Sequence, residues 1–154
     1  MAVVTVSTPN AVSKTRILLV DDYPDALEIW GLFLRAHGYE VETAVDGLEA
    51  VAKAHAQPPD AIVLDLELPG ISGFEAAVQL RHANDTASIP LIAATGYSHV
   101  KQLNQAKASG FDSIMIKPCE PAALVAEIER LLDESHRHMP RTQPARVNRS
   151  THNR

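Results

Sequence analysis

The 154-residue sequence has little of several features that define whole classes of protein. Its single cysteine, Cys119, excludes an intramolecular disulfide and gives no sign of a cysteine metal cluster. Aromatic residues make up only 5% of the chain, and no apolar run approaches the roughly 20 residues of a membrane-spanning helix. The first residues lack the basic segment that opens a secretory signal peptide. We therefore expect a cytoplasmic protein with no membrane contact.

Acidic residues are absent from residues 136–154, which carry five arginines, although the whole chain has a net charge of −5. Such a segment buries too little apolar surface to offset its ordering entropy. We predict disordered tails at residues 1–15 and 135–154, and one domain at residues 16–134. The basic tail is interpreted as a solvated terminus, and direct nucleic-acid binding is not expected.

Within the predicted domain, short apolar segments alternate with longer segments of helical spacing, which is typical of α/β proteins. Strands are predicted at residues 16–21, 39–44, 60–65, 90–95 and 111–117. Four of these are nearly continuous apolar runs, as in parallel strands covered on both faces, whereas residues 39–44 alternate and indicate an edge strand. The sequence therefore predicts a doubly wound parallel sheet with helices on both faces.

The five helices are predicted from their apolar spacing. The predicted buried faces are Leu27, Trp30 and Leu34 in the first helix, Leu48, Val51 and Ala52 in the second, Phe74, Ala77 and Val78 in the third, and Leu124, Val125, Ile128, Leu131 and Leu132 in the fifth. Asp46 is the predicted N-cap of the second helix. The fourth helix offers only Val100 and Leu103, so we expect it to be loosely held.

Asp65 raises a chemical question, because it ends an apolar strand that reads as buried. An ionised carboxylate buried without a partner costs several kcal/mol, so Asp65 must be protonated, paired, or placed at an opening. Asp21 and Asp22 end the first predicted strand, Thr95 the fourth and Lys117 the fifth. The carboxyl ends of parallel strands border the crevice where ligands bind, so these residues should converge there.

Each residue alone has an ordinary explanation, such as a helix N-terminus for the aspartate pair or a solvated strand end for Lys117. Together they indicate more, because three close carboxylates repel one another unless a cation joins them. Hard oxygen ligands suit Mg²⁺. An aspartate beside Mg²⁺ and a lysine can accept a phosphoryl group, so Asp65 is the predicted acceptor and Thr95 a predicted hydrogen-bond donor to that group.

Four segments together resemble the response-regulator receiver domains of two-component signalling, of which the chemotaxis regulator is the single-domain example. The segments are "LLVDDYPDA", "DAIVLDLELPGISGFE", "LIAATGYS" and "IMIKP". The resemblance covers residues 16–134 and implies a flavodoxin-like five-stranded sheet in the order 2-1-3-4-5. It also implies phosphoryl transfer to Asp65 from a histidine kinase or histidine phosphotransfer protein, with an unknown downstream protein as target.

The same resemblance assigns the metal ligands. Asp22, Asp65 and the backbone carbonyl of Glu67 would hold Mg²⁺, and Asp21 would do so through water. It further implies a cis peptide bond between Lys117 and the proline that follows.

For activity, the resemblance implies a phosphoacceptor with slow autodephosphorylation rather than an enzyme, with Thr95 and Lys117 assisting transfer. We expect a stand-alone receiver without an effector domain, with a weak dimer left open.

Two positions depart from the usual receiver pattern. Ile114 stands where the family usually has an aromatic residue that moves with the threonine, and Glu67 places a further acid near the phosphoryl site. Because isoleucine has few χ1 states, we expect switching to depend on the loop from Thr95 to Val100, with Tyr97 as a substitute for the missing ring.

Three other functions are left open. "DLE" resembles the Asp-x-Asp motif of haloacid-dehalogenase-type phosphatases, although that motif belongs on a first strand and Asp65 ends the third. A flavodoxin shares the fold class, yet the first loop, "DDYPD", is acidic where phosphate binding needs Gly, Ser and Thr. A receiver-like binding module that is never phosphorylated is the third alternative.

Overall fold

The computed structural model describes residues 14–138, in which five strands alternate with five helices. The elements are β1 (Arg16–Val20), α1 (Pro24–Ala36), β2 (Glu40–Ala44), α2 (Gly47–Ala56), β3 (Ala61–Leu64), α3 (Gly73–His82), β4 (Leu91–Thr95), α4 (Val100–Ser109), β5 (Ser113–Ile116) and α5 (Pro121–His138). The predicted α/β class is therefore confirmed. Within residues 14–138, no helix combines the length and the apolar character needed to cross a membrane.

The strands form one parallel sheet in the order β2-β1-β3-β4-β5, as predicted. Its register places the carboxyl ends of β1 and β3 side by side, because Val20 pairs with Leu64. On the other side of β3, Leu64 pairs with Ala93 of β4, two residues before Thr95. The residues that follow these three strands consequently emerge at the same edge of the sheet.

Apolar residues cover both faces of the sheet because successive side chains of a strand point to opposite sides. Leu18 and Val20 of β1 belong to one core cluster, whereas Ile17 and Leu19 belong to the other. The first cluster is completed by α2, α3 and α4, and the second by α1 and α5. β2 is largely half-exposed, which confirms that residues 39–44 contain an edge strand.

The helices differ in how firmly their first turns are secured. Asp46 caps α2 by accepting a hydrogen bond from the Glu49 amide at 2.7 Å, which confirms the predicted cap. α4 has no side-chain cap at His99. Its buried residues are small, Ala106 and Ser109, and among residues 14–138 the buried side-chain oxygen of Gln102 has no hydrogen-bond partner. α4 is therefore weakly anchored, in line with the expectation from its sequence.

The buried faces of α2 and α3 differ from the predicted ones. Leu48 is 60% exposed, Val78 is 38% exposed and Ala52 is exposed, so these three predictions were wrong. Ala77 is buried, as predicted. The buried residues are instead Gly47, Ala50 and Ala54 of α2 and Gly73, Ala76, Ala77 and Leu80 of α3. Small side chains on these faces let the helices lie close to the sheet and to each other, which turns the larger residues toward solvent.

α5 continues one turn beyond the predicted domain boundary at residue 134. The His138 ring nitrogen Nδ1 hydrogen-bonds to the Glu134 carbonyl at 2.8 Å, and Arg130 bonds to the Glu134 carboxylate, also at 2.8 Å. These contacts extend the helix through residues that were predicted to begin a disordered tail, which corrects that boundary. The rest of both predicted tails, residues 1–13 and 139–154, lies outside the described residues.

Arg81, at the end of α3, joins the loops at the amino ends of β4 and β5. Its guanidinium donates to the carbonyls of Ala87 and Ile89 at 2.8 and 2.7 Å. It also donates to the Gly110 carbonyl and, at 2.7 Å, to the Asp112 carboxylate. One half-buried side chain therefore satisfies acceptors from two separate loops, at the sheet edge opposite to Asp65.

Candidate functional site

Three carboxylates meet at the carboxyl edge of the sheet. Asp21 and Asp22 follow β1 and Asp65 follows β3, and each contributes an oxygen that lies within 4.8 Å of the other two. They are adjacent because β1 and β3 are neighbouring strands with aligned ends.

The three carboxylates differ in burial and in their hydrogen bonds. Asp21 is only 6% exposed, and its Oδ1 accepts a hydrogen bond from the Tyr23 amide at 2.9 Å. Asp65 is half-buried, and its Oδ1 accepts from the Glu67 amide at 3.0 Å. Asp22 is exposed. The site therefore has a buried rear wall, a central carboxylate and an open front.

Lys117, which follows β5, reaches across to this cluster. Its Nζ donates to Asp21 Oδ2 at 2.6 Å and lies 3.4 Å from Asp65 Oδ2. The Lys117–Pro118 peptide bond is cis, as the sequence resemblance implied. A single ammonium group thus bridges the two more deeply placed carboxylates.

Burial and charge shift the pKa values of this pair. Desolvation raises the pKa of the Asp65 carboxyl, against the lowering effects of the Glu67 amide and the Lys117 charge. Desolvation lowers the pKa of Lys117, but the hydrogen bond to Asp21 and the charges of Asp65 and Asp21 outweigh it, so the net pKa is raised. Lys117 is therefore a stable cation at neutral pH.

The donor set fits a hard divalent cation. Three carboxylates facing one ammonium group leave about two uncompensated negative charges in a site whose front is open to water. Mg²⁺ prefers carboxylate oxygens and retains several waters, so the residues present suit it.

Thr95 ends β4 and is fully buried. Its Oγ1 accepts a hydrogen bond from the Tyr97 amide at 3.2 Å, which leaves its own hydroxyl hydrogen available for another acceptor. Because β4 lies beside β3, the structure brings Thr95 to the same edge as Asp65.

Tyr97 and Glu67 lie on opposite sides of the site's mouth. With Asp22 they line an open groove of about 400 Å³. The pKa of the Tyr97 phenol is raised, chiefly by the neighbouring Glu67 carboxylate. The charges of Glu67 and Asp65 add to this shift. Residues from the β3–α3 loop and from the β4–α4 loop thus line the same groove.

Ile114 occupies a different place from the other predicted switch residues. It lies on β5 opposite Ala93, is half-buried, and lines a groove of about 290 Å³ between α4 and β5 with Leu103 and Phe111. A larger groove of about 700 Å³, beside Arg81, contains none of the predicted site residues.

The first residue of α3 packs directly on the strand end that carries Asp65. A Cβ at Gly73 would lie 2.3 Å from the Asp65 carbonyl oxygen, closer than atoms can approach. Glycine is therefore required for α3 to begin at this distance from β3.

Sequence reasoning missed two features of the site. It did not foresee that Lys117 would lie closer to Asp21 than to Asp65, and no sequence signal specifies that choice. It singled out Tyr97 and Glu67 separately but did not predict that they line the same groove. The signal that could have predicted this is their equal offset, because Glu67 lies two residues after Asp65 and Tyr97 lies two residues after Thr95.

The fold and the site together define a class of protein: doubly wound α/β modules with an acidic, cation-compatible site at the carboxyl edge of the sheet. The family model of the response regulator receiver domain matches residues 17–129. The chain belongs to this family.

Relatives and solved structures agree with this assignment. The chain is 35% identical over 122 residues to the DNA-binding dual master transcriptional regulator RpaA of Synechocystis, covering 79% of this chain and 51% of that protein. It is 32% identical to Protein PilH of Pseudomonas aeruginosa, covering 76% of this chain and 97% of PilH. The receiver domain of the sensor histidine kinase PA1611 from the same species superposes with a TM-score of 0.74 at 30% identity, covering 79% of this chain and 99% of that one; its structure has a magnesium ion coordinated in the active-site cleft.

The chain spans about half the length of several curated relatives that it matches, which share only the receiver portion with it. Receiver domains are signalling modules of two-component systems and are generally not classed as enzymes. They take phosphoryl groups from histidine kinases or phosphotransfer proteins and bind Mg²⁺ in their acidic site. Family membership thus favours a receiver over the phosphatase and flavodoxin alternatives.

Proposed function

We propose that this chain accepts a phosphoryl group on Asp65 from a phosphohistidine of a histidine kinase or phosphotransfer protein, and that phosphorylation changes its binding to a downstream protein. The observation that carries the proposal is the position of Asp65, whose carboxylate has two aspartates within 4.8 Å and the Lys117 ammonium at 3.4 Å.

In the proposed transfer, an Asp65 carboxylate oxygen attacks phosphorus and the P–N bond of the donor breaks. The bonding electron pair returns to the imidazole nitrogen, so charge and atoms balance without a further reactant. The Glu67 amide holds Asp65 Oδ1 at 3.0 Å, which fixes the orientation of the carboxylate. Lys117 offsets charge on the transferring oxygens, and the free hydroxyl hydrogen of Thr95 is directed to one of them.

The ligands proposed for Mg²⁺ are Asp22, Asp65 and the Glu67 carbonyl, with Asp21 acting through water. When bound, the ion supplies positive charge that offsets carboxylate repulsion and attracts the phosphoryl oxygens. Asp21 has a second task as the buried partner of Lys117, which it holds beside Asp65.

Output follows from the added charge. A phosphoryl group carries about −1.5 to −2 charge at neutral pH, and this charge draws the Thr95 hydroxyl toward Asp65. Because Thr95 accepts from the Tyr97 amide, its movement displaces the loop that leads into the weakly anchored α4. Ile114 has few χ1 states and contributes little to this motion.

Phosphotransfer is tested by labelling the protein with a small P–N donor such as phosphoramidate in the presence of Mg²⁺. We expect an acid-stable, hydroxylamine-labile label that is lost in Asp65→Asn and retained in Asp85→Asn, an exposed control outside the cluster. Full labelling of Asp65→Asn would refute the assignment. An unlabelled wild-type protein would favour the non-phosphorylated binding module, and steady turnover of a generic phosphate ester would favour a phosphatase.

A further inference from the structure

β2 lies at the end of the sheet order, so within residues 14–138 its outer side faces no other strand. The Glu40 amide donates to the Thr15 carbonyl at 2.9 Å, which shows that the backbone groups of Glu40 point inward, toward β1. Because the direction of these groups alternates along a strand, the amides and carbonyls of Val41 and Thr43 point outward. Such a row of backbone groups is a template for pairing with another strand.

Both outward carbonyls of β2 are bound by cationic side chains from the flanking helices. The guanidinium of Arg35, near the end of α1, donates to the Val41 carbonyl at 3.2 Å. The ammonium of Lys53, in α2, donates to the Thr43 carbonyl at 2.6 Å. Two helices on opposite faces of the sheet therefore each send one side chain to the same edge, and an added strand would have to displace both.

Glu49 of α2 extends this arrangement past the end of β2. Its Oε2 accepts a hydrogen bond from the Val45 amide at 3.2 Å, and its Oε1 lies 2.8 Å from the Lys53 ammonium. Val45 is two residues beyond Thr43 and therefore presents its amide on the same outer side. The carboxylate thus occupies one outward donor and also holds the lysine in place.

α1 leaves room for the guanidinium of Arg35. A Cβ at Gly31, one turn earlier, would lie 3.0 Å from Arg35 Nη1, which is tighter than an ordinary contact. Glycine in a helix interior costs about 1 kcal/mol relative to alanine. Gly31 is buried in the middle of α1, so a poor helix former stands where the side chain of Arg35 folds back along the helix.

We propose that Arg35, Lys53 and Glu49 form an edge clasp, which keeps β2 from pairing with β2 of a second copy of this chain. The clasp acts by occupying outward backbone groups that a second strand would need. It is independent of phosphoryl transfer, because none of its three members belongs to the acidic site.

A second copy is the partner that this edge fits, because the edge is self-complementary. Under a two-fold axis with antiparallel strands, Val41 of one copy lies opposite Thr43 of the other, and the backbone groups of both point outward. Glu42 would lie at the centre of such a pair. Its charge is offset within each copy by Arg16, whose guanidinium is 2.8 Å from the carboxylate. Repulsion between the two glutamates is therefore a weak barrier, and the clasp is the main one.

The clasp is tested with the full chain carrying Arg35→Met and Lys53→Met, which keep long side chains but remove both donors. Amide hydrogen exchange is measured at low and at high protein concentration, with the mass followed by analytical ultracentrifugation. In the double variant we expect exchange at Val41 and Thr43 to slow by about three- to tenfold at high concentration, the range of one added hydrogen bond. The mass should rise toward two chains. In wild type, the exchange rates at both residues should not depend on concentration.

Two further variants separate backbone pairing from a loss of charge. Lys101→Met with Arg137→Met removes two exposed cations of α4 and α5, and should leave exchange at β2 independent of concentration. Thr43→Pro, added to the double variant, deletes an outward amide, a change that edge strands tolerate. It should abolish the protection at Val41 and the rise in mass.

Gly31→Ala decides the proposal if the double variant does not fold. Alanine improves the helix and displaces the Arg35 guanidinium, so exchange at Val41 should become dependent on concentration. Unchanged rates in the folded double variant, or in Gly31→Ala where that variant decides, would overturn the clasp. So would a wild type already protected at Val41 and Thr43 at high concentration, an equal effect of the α4 and α5 substitutions, or a rise in mass without protection at these two residues.

Discussion

Lys117 Nζ lies 2.6 Å from Asp21 Oδ2 and 3.4 Å from Asp65 Oδ2, so the lysine is paired mainly with the buried aspartate and only loosely with the central one. This unequal pairing keeps a cation beside Asp65 without neutralising it fully. The strong bond to Asp21 fixes the ammonium, and the longer contact leaves the Asp65 carboxylate without a close ion pair.

The first prediction concerns removal of this cation. Lys117→Met leaves the buried Asp21 carboxylate without its partner, and we expect the free energy of unfolding to fall by about 2 kcal/mol, below the cost of a fully buried pair because Lys117 is partly exposed. Urea unfolding measures the change. Adding Asp21→Asn should restore part of the loss, and a double variant as unstable as Lys117→Met would contradict the pairing.

The second prediction concerns the pH dependence of stability. The folded pKa of Asp65 is raised by desolvation, so its contribution to stability is fully present below the unfolded pKa of about 3.9 and is lost as pH rises through the folded pKa. Asp65→Asn should therefore be more stable than wild type at pH 7 without metal, and the difference should disappear below about pH 4. Thermal unfolding in a metal chelator tests this, and a variant that is less stable at pH 7 would contradict it.

The third prediction concerns Mg²⁺ affinity. Asp22 is an exposed carboxylate of the acidic cluster, and its removal should weaken Mg²⁺ binding by at least about tenfold. Trp30 lines a small cavity with Asp21, Asp65 and Lys117, so its fluorescence should report the titration. Asp25→Ala, an exposed acid in the first turn of α1, is the matched control. Equal affinities of the two variants would count against the site.

The fourth prediction separates stability from function. Arg81→Lys cannot supply the planar set of donors that reaches two loops, so carbonyls at the ends of β4 and β5 lose partners. We expect the free energy of unfolding to fall by about 2–3 kcal/mol. Labelling of Asp65 at a temperature where the variant is folded should match wild type, because Arg81 lies at the opposite edge of the sheet. A labelling defect in the folded variant would show that the two edges are coupled.

The fifth prediction concerns where the response to a phosphoryl mimic appears. We expect large amide chemical-shift changes at residues 95–109 and small ones at Ile114, because the loop carries Thr95 and Tyr97 whereas Ile114 lines a separate groove. A response centred on Ile114 and β5, with a silent loop, would refute the loop mechanism.

The alternation of strands and helices could be predicted because it is visible in local patterns: apolar strands, helical spacing and turn residues. The sheet order was predicted only through the resemblance to receiver domains, because local patterns do not specify which strands are neighbours. The buried faces of the helices were harder to predict from the sequence. In α2, spacing favoured Leu48, but the neighbouring helix and sheet approach so closely that only Ala50 and Ala54 fit. Periodicity predicts the spacing of the apolar residues along a helix. Which side of the helix is buried depends on how closely the neighbouring helix and the sheet approach it.

Residue identities at strand ends predicted which groups would gather at one edge, since parallel strands share that edge. They could not predict which of these residues would form hydrogen bonds or ion pairs with one another. Whether Lys117 bonds more closely to Asp21 or to Asp65 depends on tenths of an ångström set by β1, β3 and β5 together. The position of Tyr97 and Glu67 along the same groove likewise depends on the relative position of two loops.

The tight approach of Gly73 to the Asp65 carbonyl gives the two sides of the site unequal mechanical roles. On the α3 side, backbone atoms are already in contact, so that wall cannot yield when charge accumulates at Asp65. On the α4 side, the β4–α4 loop is joined to the core through Tyr97, whose amide donates to Thr95 Oγ1 and whose ring packs against the core cluster. Under the proposed phosphorylation of Asp65, we therefore expect the displacement to run toward α4, because of the asymmetry of the two walls rather than the identity of one switching residue.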